Sequence, residues 1–272
     1  MRRMTSPAAL VHGFDRIPVW SDARARAGRF LLALDFDGTL APIVPRPDDA
    51  MLPAPTRAAI EAVLARGDTR VAIVSGRGLA DARERVGIAG IYYAGNHGME
   101  IDGPGIHHVH PDAAAARPQV AACAEALRRR LASLDGVQVE DKGLTLSVHY
   151  RRARDPEAPA AVRQAIDSLC AGDDRLRVTE GKMIFEVRPA VDWDKGRATR
   201  FLLDALVDHD SVVPAVFVGD DRTDEDAFRA LREDADRVLR DAVVVAPESG
   251  DTHATCYVRS PAEVAELIGR LA

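Results

Sequence analysis

Short apolar runs alternate with longer amphipathic segments along this chain. In its first third, the pattern predicts strands over 30–36, 71–75 and 91–95, separated by helices over 55–66 and 78–86. Because parallel strands need long crossover connections, this alternation is typical of an open parallel α/β sheet. The same rhythm returns near the end of the chain, with strands over 215–220 and 242–246 and helices over 195–208, from 224, and over 261–271.

The segment between these two parts has a different pattern. Two helices, over 118–133 and 158–170, are each followed by a pair of strands joined by a turn, at Lys142–Gly143 and at Gly181–Lys182. Repeated helix-plus-hairpin units favour a small antiparallel sheet with helices on one face. Gly103–Gly105 marks a candidate linker. We therefore expect an α/β sheet domain interrupted by an α+β insertion, with these bounds: an extension without a recognised motif over 1–29, the sheet domain over 30–104 and 189–272, and the insertion over 105–188.

Composition narrows the class of protein. The 272 residues are 47% hydrophobic and 29% charged, as in a globular protein with a sizeable core. The net charge of −6 argues against a nucleic-acid partner, which would require a basic face. No apolar run approaches the ~20 residues that span a bilayer, and the apolar stretch in the first 15 residues is too short for a secretory signal. With three widely spaced cysteines besides, we expect a cytoplasmic protein without a membrane partner.

Two acidic motifs follow predicted strands. Asp35 and Asp37 stand in LDFDGTL, followed by Gly38 and Thr39. Strand ends in open α/β sheets face the ligand-binding crevice, and paired carboxylates there suit a cation, attack on phosphorus and proton transfer. A solvated turn is the alternative.

The second motif is VFVGDDRTDEDAF, with Asp220, Asp221, Asp224 and Glu225. Four acids within six residues at the end of an apolar strand are costly unless a cation offsets them. Capping of the next helix is the alternative, and we assign Asp220 to a metal and part of the remaining acidity to capping and support.

A serine and a lysine complete the candidate chemistry. Ser75 ends the second predicted strand, where a hydroxyl and free amides can bind phosphate oxygens. Lys195 begins a predicted helix, an unfavourable place for a cation, so a role against an anion is the better interpretation. Of the 36 basic residues, only Lys142, Lys182 and Lys195 are lysines.

In this order, the four motifs resemble those of the haloacid dehalogenase superfamily of aspartate-nucleophile phosphotransferases. Segments at 95–100, 140–151, 181–189 and 219–228 are similar to the trehalose-6-phosphate phosphatase family in particular. The resemblance runs from about residue 30 to 245. It implies a Rossmann-like catalytic core with an inserted cap domain that determines substrate specificity. It also implies a Mg²⁺-dependent phosphatase that releases trehalose from trehalose 6-phosphate through an aspartyl-phosphate.

The resemblance also assigns roles to single residues. Asp35 would be the nucleophile and Asp37 the acid and base, with Thr39, Ser75 and Lys195 completing the catalytic set. Mg²⁺ would be held by this set: Asp35, the Asp37 carbonyl, Asp220, Asp221 and Asp224. Substrate would contact this set: Asn96, His97, Glu140, Lys142, Lys182 and Glu186.

The acid–lysine pairs Glu140–Lys142 and Lys182–Glu186 have the spacing of residues that share one face of a strand. Such a face suits neutral sugar hydroxyls, and two solvated ion pairs are the alternative.

Two other functions compete with this one. A related capped phosphatase could act on a different sugar phosphate, although the acid–lysine pairs resemble the trehalose branch. A non-catalytic protein that senses sugar phosphate beside the synthase would be expected to have lost acids that are present here, such as Asp35, Asp37 and Asp220. The expected partner is a small-molecule substrate, with a functional link to trehalose-6-phosphate synthase.

Overall fold

The computed structural model describes residues 5–6, 9–181, 183–206, 213–235, 238–247 and 251–272. The chain divides into two compact units. One comprises Met1–His108 together with Trp193–Ala272, and the other comprises Val109–Asp192. We call them the sheet unit and the inserted unit.

The strands, in chain order, are β1 (Val11–His12), β2 (Phe30–Leu34), β3 (Thr69–Val74), β4 (Tyr92–Gly95), β5 (Glu100–Gly103), β6 (Ile106–Val109), β7 (Gln138–Asp141), β8 (Leu146–His149), β9 (Leu176–Gly181), β10 (Ile184–Pro189), β11 (Ala215–Gly219), β12 (Arg240–Val245) and β13 (Cys256–Val258). The α-helices are α1 (Gly13–Ala27), α2 (Ala54–Ala65), α3 (Leu79–Val86), α4 (Pro111–Ala115), α5 (Arg117–Arg130), α6 (Ala158–Cys170), α7 (Lys195–Ala205), α8 (Asp224–Asp234) and α9 (Pro261–Leu271).

The large sheet has the strand order β1-β13-β12-β11-β2-β3-β4-β5-β6. Its pairs from β1 to β4 are parallel, and β5 runs antiparallel to β4. Every residue of β2, β11 and β12 is buried. Such continuous burial is expected of central parallel strands, which are covered on both faces. The predicted open parallel sheet is confirmed.

Helices cover this sheet on both faces, because successive side chains of a strand point to opposite sides. In β2, Leu32 packs in a core cluster with Ile60 of α2, whereas its neighbour Leu31 packs in a second cluster with Leu202 and Phe228. The first cluster also contains residues of α1, α3 and α9, and the second is completed by α7 and α8. Strand ends are thus fixed by packing from two sides.

The inserted unit contains an antiparallel sheet with the strand order β7-β8-β10-β9. Val148 and Phe185 lie on the face that packs against α5 and α6, in a cluster with Val120 and Ile166. The two predicted helix-plus-hairpin units are present, and the other face of this sheet carries the polar residues described below.

The boundaries of the two units differ from the predicted ones. We expected breaks after residues 104 and 188, but the units divide after His108 and after Asp192. The reason is β6, which extends the large sheet beyond Gly103–Gly105; that segment is the turn between β5 and β6 rather than a linker. Segment 1–29 contributes β1 and α1 to the sheet unit, with Trp20 fully buried. The predicted end of the helix at 208 lies outside the described residues.

Within the described ranges, we find no helix that has both the length and the apolar character needed to cross a membrane.

Candidate active site

Four neighbouring parallel strands bring together residues that are far apart in sequence. The order β11-β2-β3-β4 places four strand ends side by side. Directly after these strands come Asp220, Asp35, Ser75 and Asn96, in that order. Since the strands are parallel, the four residues lie along one edge of the sheet, where open α/β folds bind ligands.

Lys195 lies between two carboxylates at this edge. Its Nζ donates hydrogen bonds to Oδ1 of Asp35 at 2.8 Å and to Oδ1 of Asp224 at 2.7 Å. All three side chains are buried. Burial lowers the pKa of Lys195, but attraction to Asp224 and Asp35 outweighs it and raises that pKa well above its ordinary value. A cation at the start of α7 is therefore held by local anions, against the helix dipole.

The acidic residues around Lys195 outnumber it. Carboxylate oxygens of Asp35, Asp220 and Asp224 all lie within 4.8 Å of one another. Burial raises the pKa of Asp35 to about 7, with repulsion from Asp221 and Asp220 adding to the rise and Lys195 opposing it. Burial, together with the charges of Asp224 and Asp221, also raises the pKa of Asp220 to about 7. Carboxylate oxygens that repel one another are suited to bind a hard divalent cation, because the ion offsets their negative charge.

The loop that begins α8 is braced by its own acids. Asp224 Oδ2 accepts hydrogen bonds from the backbone N–H groups of Asp220 and Asp221, at 3.0 and 3.1 Å. Asp221 Oδ1 accepts from Thr223 through both N–H and hydroxyl, at 2.8 and 2.7 Å. Burial raises the pKa of Asp221, but Lys195 and the Thr223 hydrogen bonds outweigh it and lower that pKa to about 2. Asp221 and Asp224 therefore fix the backbone that presents Asp220.

The loop after β2 comes close to the same acids. The Thr39 hydroxyl donates to Asp220 Oδ1 at 3.1 Å. Gly38 has φ 82°, and a Cβ there would lie 2.1 Å from Asp220 Oδ2. Only glycine fits a position that is both left-handed and this close to another side chain. The contacts of Gly38 and Thr39 with Asp220 thus explain why glycine and threonine follow Asp37 in the LDFDGTL motif.

Asp37 is held by an arginine that the sequence analysis did not select. Arg77 Nε donates to Asp37 Oδ2 at 2.6 Å and Nη2 donates to Oδ1 at 2.7 Å, a two-pronged ion pair. Burial lowers the pKa of Arg77, but hydrogen bonds and charge from Asp37 and Asp81 outweigh it and raise that pKa above its ordinary range. A signal was available: Arg77 is two residues after the strand-end Ser75, in the loop after β3, and β3 is the neighbour of β2, which Asp37 follows.

Ser75, Asn96 and His97 meet through their backbones. The Ser75 carbonyl accepts from His97 N–H at 2.9 Å, and the Arg77 carbonyl accepts from Asn96 N–H at 2.7 Å. Asn96 and His97 have φ values of 49° and 58°, in the left-handed region. Non-glycine residues adopt such values only where their surroundings fix them. The loop after β4 is therefore locked to the loop after β3.

The remaining predicted site residues belong to the inserted unit. Glu140 and Glu186 are both register partners of Ser147, so they share the sheet face opposite α5 and α6. Lys142 Nζ donates to Glu186 Oε1 at 2.6 Å. His149 Nε2 lies 2.8 Å from Glu140 Oε2.

The acid–lysine pairing on this face differs in part from the expected one. The spacing predicts pairs between neighbours along one strand, whereas the Lys142–Glu186 pair crosses from the β7 end of the sheet over β8 to β10. A lysine side chain is long enough to reach a diagonal partner. Lys182 lies outside the described residues.

Comparisons with known proteins identify what this arrangement is similar to. The family model described as trehalose-phosphatase matches residues 33–262. A trehalose-phosphate phosphatase of Mycobacterium marinum is 45% identical over 246 residues, which is 88% of this chain and 60% of that protein. The chain thus spans about 60% of the length of the curated relatives it matches.

Solved structures agree with the fold. The C-terminal domain of trehalose-6-phosphate phosphatase from C. albicans superposes with a TM-score of 0.78 and 25% identity, with 99% of each chain covered. A haloacid dehalogenase-like hydrolase from Bacteroides thetaiotaomicron has a TM-score of 0.59 at 16% identity, covering 90% of this chain and all of that one, and this likeness supports the fold alone.

Proposed function

This chain belongs to the trehalose-phosphatase family, and from that premise we propose that it hydrolyses trehalose 6-phosphate to trehalose and inorganic phosphate in a Mg²⁺-dependent reaction. The observation that carries the proposal is the buried Asp35, held by Lys195 at 2.8 Å beside Asp220 and Asp224. A carboxylate fixed next to one cation and among oxygen donors is suited to nucleophilic phosphoryl transfer.

In the first half of the reaction, a carboxylate oxygen of Asp35 attacks phosphorus. The bond from phosphorus to the sugar oxygen breaks, and Asp37 gives a proton to that leaving oxygen. Lys195 donates to Oδ1 of Asp35, which leaves Oδ2 as the attacking oxygen. Lys195 and Ser75 bind the phosphate oxygens, and Thr39 keeps Asp220 in place through its hydroxyl.

In the second half, water attacks the aspartyl-phosphate and Asp37 takes the proton of that water. The bond between phosphorus and Asp35 breaks, which releases inorganic phosphate and restores the carboxylate. Asp35, Asp220 and the Asp37 carbonyl would hold Mg²⁺, supported by Asp221 and Asp224. When bound, the ion supplies positive charge against the phosphoryl oxygens.

We assign the inserted unit the role of a cap that selects the sugar. Its polar sheet face, with Glu140, Lys142 and Glu186, offers charged donors and acceptors to neutral hydroxyls. Lys182, from the same motif, is assigned to this face on the family resemblance. Asn96 and His97 are assigned substrate contact on the same ground. The sheet unit would then be the catalytic core, in a cytoplasmic enzyme functionally linked to the synthase.

A phosphate-release panel tests this proposal. The substrates are trehalose 6-phosphate, glucose 6-phosphate, sucrose 6-phosphate and 4-nitrophenyl phosphate, each with Mg²⁺ and with excess chelator. We expect the highest kcat/KM for trehalose 6-phosphate, loss of all activity with chelator, and recovery on adding Mg²⁺. An equal or higher kcat/KM for another sugar phosphate would assign the chain to a different substrate, and activity that persists in chelator would refute the metal requirement.

A further inference from the structure

Arg77 joins the loop after β3, to which it belongs, to the loop after β2, which contains Asp37. The sequence motifs assign Arg77 no role in the reaction. Its guanidinium donates to both carboxylate oxygens of Asp37, at 2.6 and 2.7 Å. Two further N–H groups of the guanidinium also donate: Nη1 to Asp81 Oδ2 at 2.8 Å, and Nη2 to the Pro47 carbonyl at 2.9 Å. The group is therefore fixed from several directions at once.

The surroundings of Arg77 are equally constrained. Its side chain is 8% exposed, and its guanidinium lies 5.4 Å from the ring centre of Phe36, the residue between Asp35 and Asp37. Its backbone N–H donates to the Ser75 hydroxyl at 3.2 Å. Arg77 is thus a rigid support, since burial, stacking and five hydrogen bonds leave it few alternative conformations.

Asp37 is exposed on its other side. Its side chain is 36% exposed although both oxygens accept from Arg77. A carboxylate has about four acceptor positions, so the fork of Arg77 occupies one on each oxygen and leaves the outward ones open. The fork also fixes the plane of the Asp37 carboxylate, because the guanidinium that holds it is itself planar.

We propose that Arg77 is the positioning residue for water activation: it orients the Asp37 carboxylate for hydrolysis of the aspartyl-phosphate. In that step the water oxygen bonds to phosphorus, the water proton passes to an outward position of Asp37, and the bond from phosphorus to Asp35 breaks. The inference rests on the proposed function and deepens it. A lysine at this place keeps the charge but cannot form the fork, so it separates orientation from charge.

The test compares Arg77→Lys with the wild-type protein, using 4-nitrophenyl phosphate in Mg²⁺ buffer. The leaving group of this substrate needs no proton, so formation of the aspartyl-phosphate does not depend on Asp37 as an acid. Samples quenched during steady-state turnover are analysed by intact mass. We expect the ratio of phosphorylated to unphosphorylated enzyme to rise about 10- to 100-fold in Arg77→Lys, because a misoriented base loses part of the roughly 10²- to 10⁴-fold that a well-placed one contributes.

If Arg77 had only a structural role, its replacement would not raise the ratio of phosphorylated to unphosphorylated enzyme. Partial unfolding lowers the active fraction without raising the ratio, and damage to phosphate binding lowers the ratio.

Arg85→Lys is the matched control. Arg85 also donates to Asp81, at 2.7 Å, and is similarly buried, but it contacts the carbonyls of Asp48 and Ala50 rather than Asp37. Its ratio should equal that of the wild type.

Asp37→Asn separates failure of this inference from failure of the proposed function. If Asp37→Asn does not raise the ratio, Asp37 is not the base and the proposed mechanism falls. If Asp37→Asn raises the ratio while Arg77→Lys does not, the mechanism stands and the role of Arg77 is refuted. Should Arg77→Lys not fold, Arg77→Gln also removes the two-pronged pair with Asp37, and an unchanged ratio in that variant would refute the role equally.

Discussion

The two polar regions of this protein differ in how their charges balance. At the strand ends of the sheet unit, the single ammonium group of Lys195 stands among the carboxylates of Asp35, Asp220, Asp221 and Asp224. On the polar sheet face of the inserted unit, Lys142 pairs with Glu186, and Glu140 has His149 as its partner. The first region has an excess of buried negative charge, and the second has acids that each have a basic neighbour.

This difference separates two kinds of binding chemistry. Unbalanced buried acids are destabilising by themselves, and a bound divalent cation would offset their charge. Acids with basic neighbours need no added charge, and they can exchange hydrogen bonds with neutral hydroxyls at small electrostatic cost. Acidic residues are present in both regions, and the local sum of charge is what separates their chemistry.

The largest effect is expected from Asp35→Asn. The isosteric amide cannot attack phosphorus, so kcat should fall by about 10⁴-fold or more for trehalose 6-phosphate and for 4-nitrophenyl phosphate alike. Circular dichroism should show an unchanged fold, since the amide fits the same space. Wild-type phosphate release by the folded variant would remove Asp35 from the chemistry and with it the contrast between the two regions.

A smaller and more selective effect is expected from Lys142→Met. If its ammonium serves a sugar hydroxyl, kcat/KM for trehalose 6-phosphate should fall about 10- to 100-fold, the equivalent of one charged hydrogen bond. The value for 4-nitrophenyl phosphate should change little, because binding energy remote from phosphorus is used only by the larger substrate.

The matched control for this variant is Arg163→Met, on α6 of the same unit. Arg163 pairs with the exposed Asp167 at 2.8 Å, on the helical side of the inserted unit. Neither substrate should respond to its loss. An equal decrease for both substrates in Lys142→Met would place that lysine with the fold or the phosphate site instead of the sugar.

The strand ends could be predicted because their signals are local. Four or five apolar residues followed by an acid or a serine, as at Asp35, Ser75 and Asp220, identify both the strand and the end that carries the candidate site. By contrast, β1 and β13 have two and three residues, too few for any periodicity. Such short strands form because neighbouring strands pair with them.

The partners within the site could be predicted only in part. Asp37 and Arg77 are 40 positions apart in sequence, and their contact depends on the neighbouring strands β2 and β3. Because the chain is rich in arginine, the residue type of Arg77 does not by itself indicate a site. The lysines are rare, so each of them draws attention to its position. The Lys142–Glu186 contact likewise depends on how β7, β8 and β10 are ordered, which the spacing of the motifs does not contain.

The smallest effect concerns stability, and it tests the charge imbalance directly. The pKa values of Asp35 and Asp220 are both raised to about 7 by burial, from an ordinary 3.8. The folded protein without metal therefore binds more protons than the unfolded chain between about pH 4 and 7, and it loses stability as pH rises through that window. Mg²⁺ competes with these protons, so it should stabilise the protein more at pH 8 than at pH 5.

At a concentration of 100 times its Kd, Mg²⁺ should raise Tm by roughly 5–10 °C at pH 8, as measured by differential scanning fluorimetry. Asp220→Asn should lose most of this increase, because it removes one of the charges that the ion offsets. Lys142→Met should keep all of it, since the charges on the inserted unit already have partners. An equal Mg²⁺ shift at pH 5 and pH 8, or a loss of the shift in Lys142→Met, would mean that the two regions do not differ in charge balance as their contacts indicate.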